Sequence, residues 1–315
     1  GTPSVLTPCA NLWRQLFSIV KADLILADYA PTALLAARSL GVKAVALGTG
    51  FSIPPQLSPL PAFNRRLVIQ EAALRSSDEQ LLTALNRYLA HFNSPLLSTV
   101  SDLFWQSEYV AITHAQALDH FSHGRPADTN YYGLATNMPG GVCAHWPDAP
   151  GIKIFAYLKT EYAGLEYLLG LLQLLPVVAV VYLSGDNAQQ WQRVQTEQLR
   201  IYLMPVDVSV LMPTADWLIY HAGSGMASQA LAYGVPSILI PTHYEQLFTA
   251  EALATRHLGY VLNPHWGSAQ IEATLRQALQ DTQIKPRCQQ VVDNAQKQGE
   301  AELVARIHQI ANGYS

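Results

Sequence analysis

The stretch HAGSGMASQ, residues 221 to 229, sets an imidazole and two glycines between an apolar run, DWLIY, and a helical pattern. That order suits anion chemistry. A strand that passes through a Gly-rich turn into a helix leaves free backbone N–H groups at the helix start, and the helix dipole adds positive potential there. Gly223 and Gly225 permit a tight turn and the close approach of an anion. His221, at the end of the strand, is placed to donate a hydrogen bond to a phosphate oxygen; the plain alternative is a simple turn beside a packed His. Two other chemistries share the geometry. Gly223, Gly225 and Ser228 approximate GxGxxG, with Glu245 about 20 residues on. That acid belongs at the end of the next strand, however, and here Pro241 and further residues intervene. A nucleophile elbow, GxSxG, needs glycine where Ala222 stands.

The continuation narrows the choice. GVPSILIPTHYEQLFTA follows the helix directly. Taken together, residues 203 to 264 resemble the donor-binding signature of GT-B nucleotide-sugar glycosyltransferases, in particular the bacterial macrolide and antibiotic glycosyltransferases and the UDP-dependent ones. Their pattern runs roughly P-Q, HGGxGT…E, then GVPxxxxPxxxDQxxNA. Here it reads Pro205-Val206, HAGSGMASQ, then GVPSILIPTHYEQLFTA. A weaker resemblance covers KIFAYLK and DLILADYAPTALLAARSLG, which looks like the end of the family's acceptor-binding domain.

The resemblance implies an α/β protein of GT-B fold, with two facing Rossmann-like domains and a cleft between them. It implies an inverting transfer from a UDP-sugar, or failing that a dTDP-sugar, to a hydroxyl of a small acceptor. No cofactor or metal ion is implied. The diphosphate would lie on His221, Gly223, Ser224, Gly225 and Met226. Gln229 stands where the family has an acid for the ribose, and Glu245-Gln246 match its sugar-holding DQ pair; a solvated loop is the alternative for that pair. Val206 replaces the family's Gln, which leaves its backbone to read a pyrimidine edge. Asp28 matches the Asp that orients the catalytic His, although it also suits an N-cap for the helix begun by Pro31. The His itself has no counterpart here. We therefore expect a natural polypeptide that is longer at its N-terminus, or a second chain. The rival from another class is a non-catalytic nucleotide-sugar binder or half of a split enzyme.

The elements that must position these residues are legible in outline. The chain has 315 residues, half of them hydrophobic and 13% charged, with a formal net charge of −4. That suits two domains with buried parallel sheets and gives nucleic acid no basic footprint. Cys9, Cys143 and Cys288 form no CxxC pair, which points to a reducing, cytoplasmic setting. The apolar stretch 164–183 is interrupted by Glu166, Gln173 and Pro176, and reads as a helix followed by a buried strand rather than a membrane span. Strands alternate with helices in both halves. We expect residues 1–140 to be the remaining acceptor domain, 141–150 a linker and 151–315 the donor domain. The opening GTPSVLTPCANLW reads as a loop, and His120 and His123 as solvated. Phe51, Ile53 and the Pro-rich loop after them suggest an apolar acceptor site. Oligomeric state is not legible.

Overall fold

A computed structural model describes residues 3–62, 64, 68–133, 140–263, 267–294 and 299–313. The chain divides into two compact units. One comprises residues 1–133 with 298–315, and the other residues 134–297. Two boundaries differ from expectation. The C-terminal helix belongs with the first unit, and the segment expected to be a linker is built into the second, where Val142 bridges Val206 and Ala144 is fully buried.

The first unit holds a parallel sheet of three strands among the described residues. These are β1 (Leu24–Asp28), β2 (Lys43–Gly48) and β3 (Tyr109–Ile112), in that spatial order. Helix α1 (Pro3–Val20) packs on α2 (Pro31–Leu40). Helices α3 (Glu71–His91) and α4 (Asp102–Trp105) complete the layer before β3. The opening residues are thus helical from Pro3 and not a loop, despite Pro8 inside the helix. The reason is a stripe, Leu6, Ala10, Trp13 and Phe17, that repeats at helical spacing and packs into the core. Packing on that stripe outweighs the single backbone bond that Pro8 cannot donate. Helix α11 (Glu300–Ala311) closes the unit. Its Ile310 is buried and Arg306 lies 5.3 Å from the centre of the Tyr109 ring.

Among the described residues, the second unit holds a six-stranded parallel sheet. Its strands are β4 (Ile152–Lys159), β5 (Val177–Ser184), β6 (Leu199–Tyr202), β7 (Trp217–Tyr220), β8 (Ser237–Leu239) and β9 (Gly259–Val261). The spatial order is β6-β5-β4-β7-β8-β9. Helix α5 (Leu165–Leu174) ends before Pro176, which cannot continue it, and the fully apolar run Val177–Val181 is buried on both faces. Helices α6 (Val208–Leu211), α7 (Ser224–Ala232), α8 (Tyr244–Thr255), α9 (Ser268–Gln280) and α10 (Ile284–Asn294) follow. The chain runs outward from β4 to β6, then returns to place β7 on the other side of β4. This reversal makes the β4/β7 junction the topological switch point, the place outside the carboxyl ends of the strands where open α/β sheets take their ligands. No helix among the described residues is long and apolar enough to cross a membrane.

Candidate functional site

Helix α7 starts at that switch point, directly after β7. Its N-cap, Gly223, has extended backbone and no side-chain cap. The amides of Ser224, Gly225 and Met226 occupy the first turn, where no intrahelical carbonyl can reach them. The tight turn falls on Ala222, which is buried with φ +57°, and not on the glycines. Neither Gly223 nor Gly225 takes a left-handed φ, and a Cβ at either would meet nothing within 4 Å. The protein's own backbone does not require these glycines. Their effect is to keep the space before the helix clear.

His221 departs from its expected role. It is 7% exposed, and both ring nitrogens are engaged by the main chain. Nε2 accepts the Lys159 amide at 3.1 Å, which leaves Nδ1 as the protonated nitrogen, donating to the Ile240 carbonyl at 2.9 Å. Burial pushes the imidazole below its ordinary pKa, so it is neutral near pH 7. The ring therefore binds the ends of β4, β7 and β8 together instead of offering a proton to a phosphate. Beside it stands Tyr162, its ring 6.0 Å away edge-on. The Tyr162 hydroxyl is buried with no hydrogen-bond partner among the described residues. Sequence reading missed this group because only the fold brings the loop after β4 next to His221.

The remaining donor-side residues lie in the same unit. Gln246 is buried, and its Oε1 accepts from both the amide (2.8 Å) and the hydroxyl (2.9 Å) of Thr242. The atom facing an N–H must be the oxygen, so only Nε2 is left to donate. Glu245 is half-buried in the first turn of α8. Gln229 is 2% exposed inside α7, and so lies within the protein and not on a surface open to a ribose. Met226 is half-buried. Val206 is buried and bridges Val142. Val142 donates to the Pro205 carbonyl at 2.8 Å and accepts from Asp207 N–H at 3.0 Å. In a parallel bridge of this kind the N–H and C=O of Val206 itself point away from Val142. Gly141 makes the approach possible. Its φ is +134°, and a Cβ there would lie 2.5 Å from the Val206 carbonyl carbon.

In the first unit, Asp28 is exposed at the carboxyl end of β1. It does not cap α2, whose N-cap is Ala30 without a side-chain bond. Ile53, expected near an acceptor, is a core residue at 1% exposure, whereas Phe51 is half-buried with its ring 6.1 Å from Tyr29. His120 is buried against Phe121, ring centres 4.1 Å apart, and is not solvated; His123 is exposed. The loop carrying Phe51 is held by a buried ion pair between Arg125 and Asp119. Arg125 also donates to the carbonyls of Gly50 (3.0 Å), Ile53 (2.8 Å) and Pro54 (3.2 Å). Burial alone would raise the Asp119 pKa, but the guanidinium, the Phe121 amide and the Tyr131 hydroxyl together hold it below its ordinary value.

Residues 179–310 match the family model described as "Erythromycin biosynthesis protein CIII-like, C-terminal domain". No curated protein sequence matches the chain. Among solved structures, the glycotransferase of kitacinnamycin aligns with a TM-score of 0.72 at 14% identity, covering 96% of this chain and 80% of that one. The spinosyn rhamnosyltransferase SpnG complexed with thymidine diphosphate aligns with a TM-score of 0.64 at 15% identity, covering 97% and 81%. The glycosyltransferase VinC in complex with dTDP aligns with a TM-score of 0.66 at 14% identity, covering 98% and 80%. The chain has the GT-B fold, and its residues 179–310 are similar to the EryCIII-like C-terminal domain.

Proposed function

We propose that this chain is a glycosyltransferase of the macrolide type, moving a sugar from a nucleoside diphosphate to a hydroxyl of a small lipophilic acceptor. The observation that carries this reading is the entrance to α7. Two glycines that the backbone does not need keep a space open before unpaired amides, at the switch point and inside the segment matched by the family model. The diphosphate lies against the amides of Ser224, Gly225 and Met226. The backbone edge of Val206 reads the pyrimidine. Glu245 and Nε2 of Gln246 hold hydroxyls of the sugar. Thymidine diphosphate in SpnG and dTDP in VinC favour a dTDP-sugar over a UDP-sugar here.

The transfer is a single inverting displacement in the cytoplasm. A base takes the proton of the acceptor hydroxyl, and the oxygen attacks the anomeric carbon. The bond to the diphosphate breaks, and the leaving group departs with the electron pair. Charge grows on the diphosphate in the transition state. Fixed N–H donors at a helix start stabilise that charge without reorganising, so no metal ion is needed for it. Asp28 orients the base and steadies its cation, as a carboxylate does for an imidazolium.

The reading is tested by Gly225→Leu. A Cβ at this position meets nothing within 4 Å, and leucine is the better helix former. Thermal stability should hold, while dTDP and UDP affinity falls at least tenfold, about 1.4 kcal/mol. Calorimetry showing the same nucleotide affinity in both proteins would take the diphosphate away from α7.

A further inference from the structure

Gly50 lies in the loop that follows β2, and three buried side chains hold it from three sides. Its amide donates to Nε2 of His114 at 2.6 Å. Its carbonyl accepts from Nη2 of Arg125 at 3.0 Å. Its α-carbon lies against Asp119, whose carboxylate occupies the place that a Cβ would take. Arg125 and Asp119 pair with each other, their side chains 1% and 0% exposed, and His114 is buried with them. The rest of the loop is tied to the same cluster. Arg125 donates to the carbonyls of Ile53 and Pro54, and the Trp105 indole donates to Pro54 at 2.9 Å. Phe51 is thereby set 6.1 Å from the ring of Tyr29, the residue after Asp28.

One of these ties depends on a proton. Nδ1–H of His114 donates to the Ala115 carbonyl at 2.9 Å, so Nε2 is the bare nitrogen that accepts Gly50. A proton on Nε2 would set one N–H against another, and the bond would break. We infer that His114, Asp119 and Arg125 form a latch on the loop 49–54, and that protonation of His114 opens it and releases Phe51 from Tyr29. Burial opposes the imidazolium most, Asp119 favours it and Arg125 opposes it. The loop itself carries no ionisable side chain. The segment 131–133 brings the Tyr131 hydroxyl, bonded to Asp119, and the Tyr132 hydroxyl, bonded to Tyr109 of β3. His120 is the other imidazole beside the loop, its ring 6.5 Å from that of Phe51. The latched ring titrates below its ordinary value of 6.5, and the released ring returns toward it. The latch is therefore at full strength above pH 6.5. It weakens by up to about tenfold for each pH unit below, until the latched ring itself takes a proton. The latch stands apart from the proposed function. Only its consequence for transfer, a loop ordered beside Asp28 at neutral pH and loose in acid, rests on that reading.

Hydrogen–deuterium exchange of the whole chain, read by mass spectrometry on peptides from the loop and from α2, tests the latch without turnover. Rates divided by those of an unstructured chain at the same pH give the opening of each segment. Loop opening should rise about tenfold from pH 7.5 to pH 5.5. It should exceed the opening of α2 at least tenfold at every pH, because the loop is released locally. His114→Gln keeps an acceptor for the Gly50 amide but has no ring to protonate, so its loop opening should be the same at pH 7.5 and pH 5.5. Gly50→Ala sets a methyl group against Asp119, and its loop should already be at least tenfold more open than the wild type at pH 7.5. A pH-independent loop in the wild type overturns the inference. So does a rise that persists in His114→Gln, which would give the titration to another group such as His120. Loop opening equal to that of α2 overturns it as well, since the whole unit would then be unfolding, and so does a Gly50→Ala loop as protected as the wild type. No arm contains nucleotide or sugar, so failure of the transfer reading leaves the latch standing, and failure of the latch leaves that reading to Gly225→Leu.

Discussion

His221 accepts the backbone N–H of Lys159 through Nε2 at 3.1 Å, and this bond closes the carboxyl end of β7 onto that of β4. With Nδ1 donating to Ile240, one imidazole satisfies the main chain of two neighbouring strands. His221→Ala should therefore act first on stability. It leaves a buried donor and a buried acceptor unpaired, at about 1–3 kcal/mol for each group. Denaturant unfolding should show that loss. The purified variant, if folded, should keep dTDP affinity within about threefold, well under the 1.4 kcal/mol of a tenfold change. A large loss of affinity at unchanged stability would return His221 to the phosphate site.

Acidification should destabilise the fold through buried histidines. His221 and His114 are both held below their ordinary value of 6.5, chiefly by burial. Nε2 of His114 also accepts the Gly50 amide at 2.6 Å, a bond that only the neutral ring can make. The unfolded chain thus binds more protons than the folded one between each lowered pKa and 6.5. Stability is full above 6.5 and is lost as the pH falls through and below that value. Urea midpoints measured from pH 8 to pH 5 should fall at the acidic end. His114→Gln should flatten the slope, and a pH-independent midpoint would contradict the assignment.

Gly141→Ala should separate base recognition from phosphate recognition. The added Cβ meets the main chain of residues 205 to 207 at 2.5–2.7 Å, in a conformation that only glycine adopts easily. The bridge between Val142 and Val206 should open and the backbone edge of Val206 should shift. Affinity for dTDP should fall about tenfold, about 1.4 kcal/mol, and affinity for inorganic pyrophosphate should stay the same. Equal losses for both ligands would mean that the change acts on the whole unit.

Transfer should depend on two carboxylates in different ways. Asp28→Asn keeps the shape at the end of β1 and removes the charge. It should lower kcat by about a hundredfold or more, the low end for a group supporting proton transfer, and leave nucleotide Kd alone. Glu245→Ala should raise KM for the nucleotide sugar without weakening bare dTDP. Unchanged turnover in both variants would take both carboxylates out of the transfer site.

Much of this was open to a reader of the sequence. The continuous apolar runs and the helical run mark β4, β5, β7 and α7 closely, because an apolar run before a Gly-rich turn has few other ways to fold. The spacing from Pro205 to Gln246 carries the family resemblance, and residues 179–310 match the family model. A turn before α7 was also expected from residue types alone, although it falls on Ala222 and not on the glycines.

What lay beyond the sequence depends on which elements become neighbours. His221 reads as a phosphate donor only until β4 is known to lie beside β7, since its partners are backbone groups 62 and 19 residues away in the chain. Main-chain partners leave no trace in side-chain identity, so no motif announces them. The same holds for Gly141, whose reason is the carbonyl carbon of Val206, and for α11, an amphipathic helix whose pattern says that it packs but not on which unit. Local spacing marked most of the helices and strands and a turn before α7. Only the strand order decided which polar atoms were already taken and which were left for a ligand.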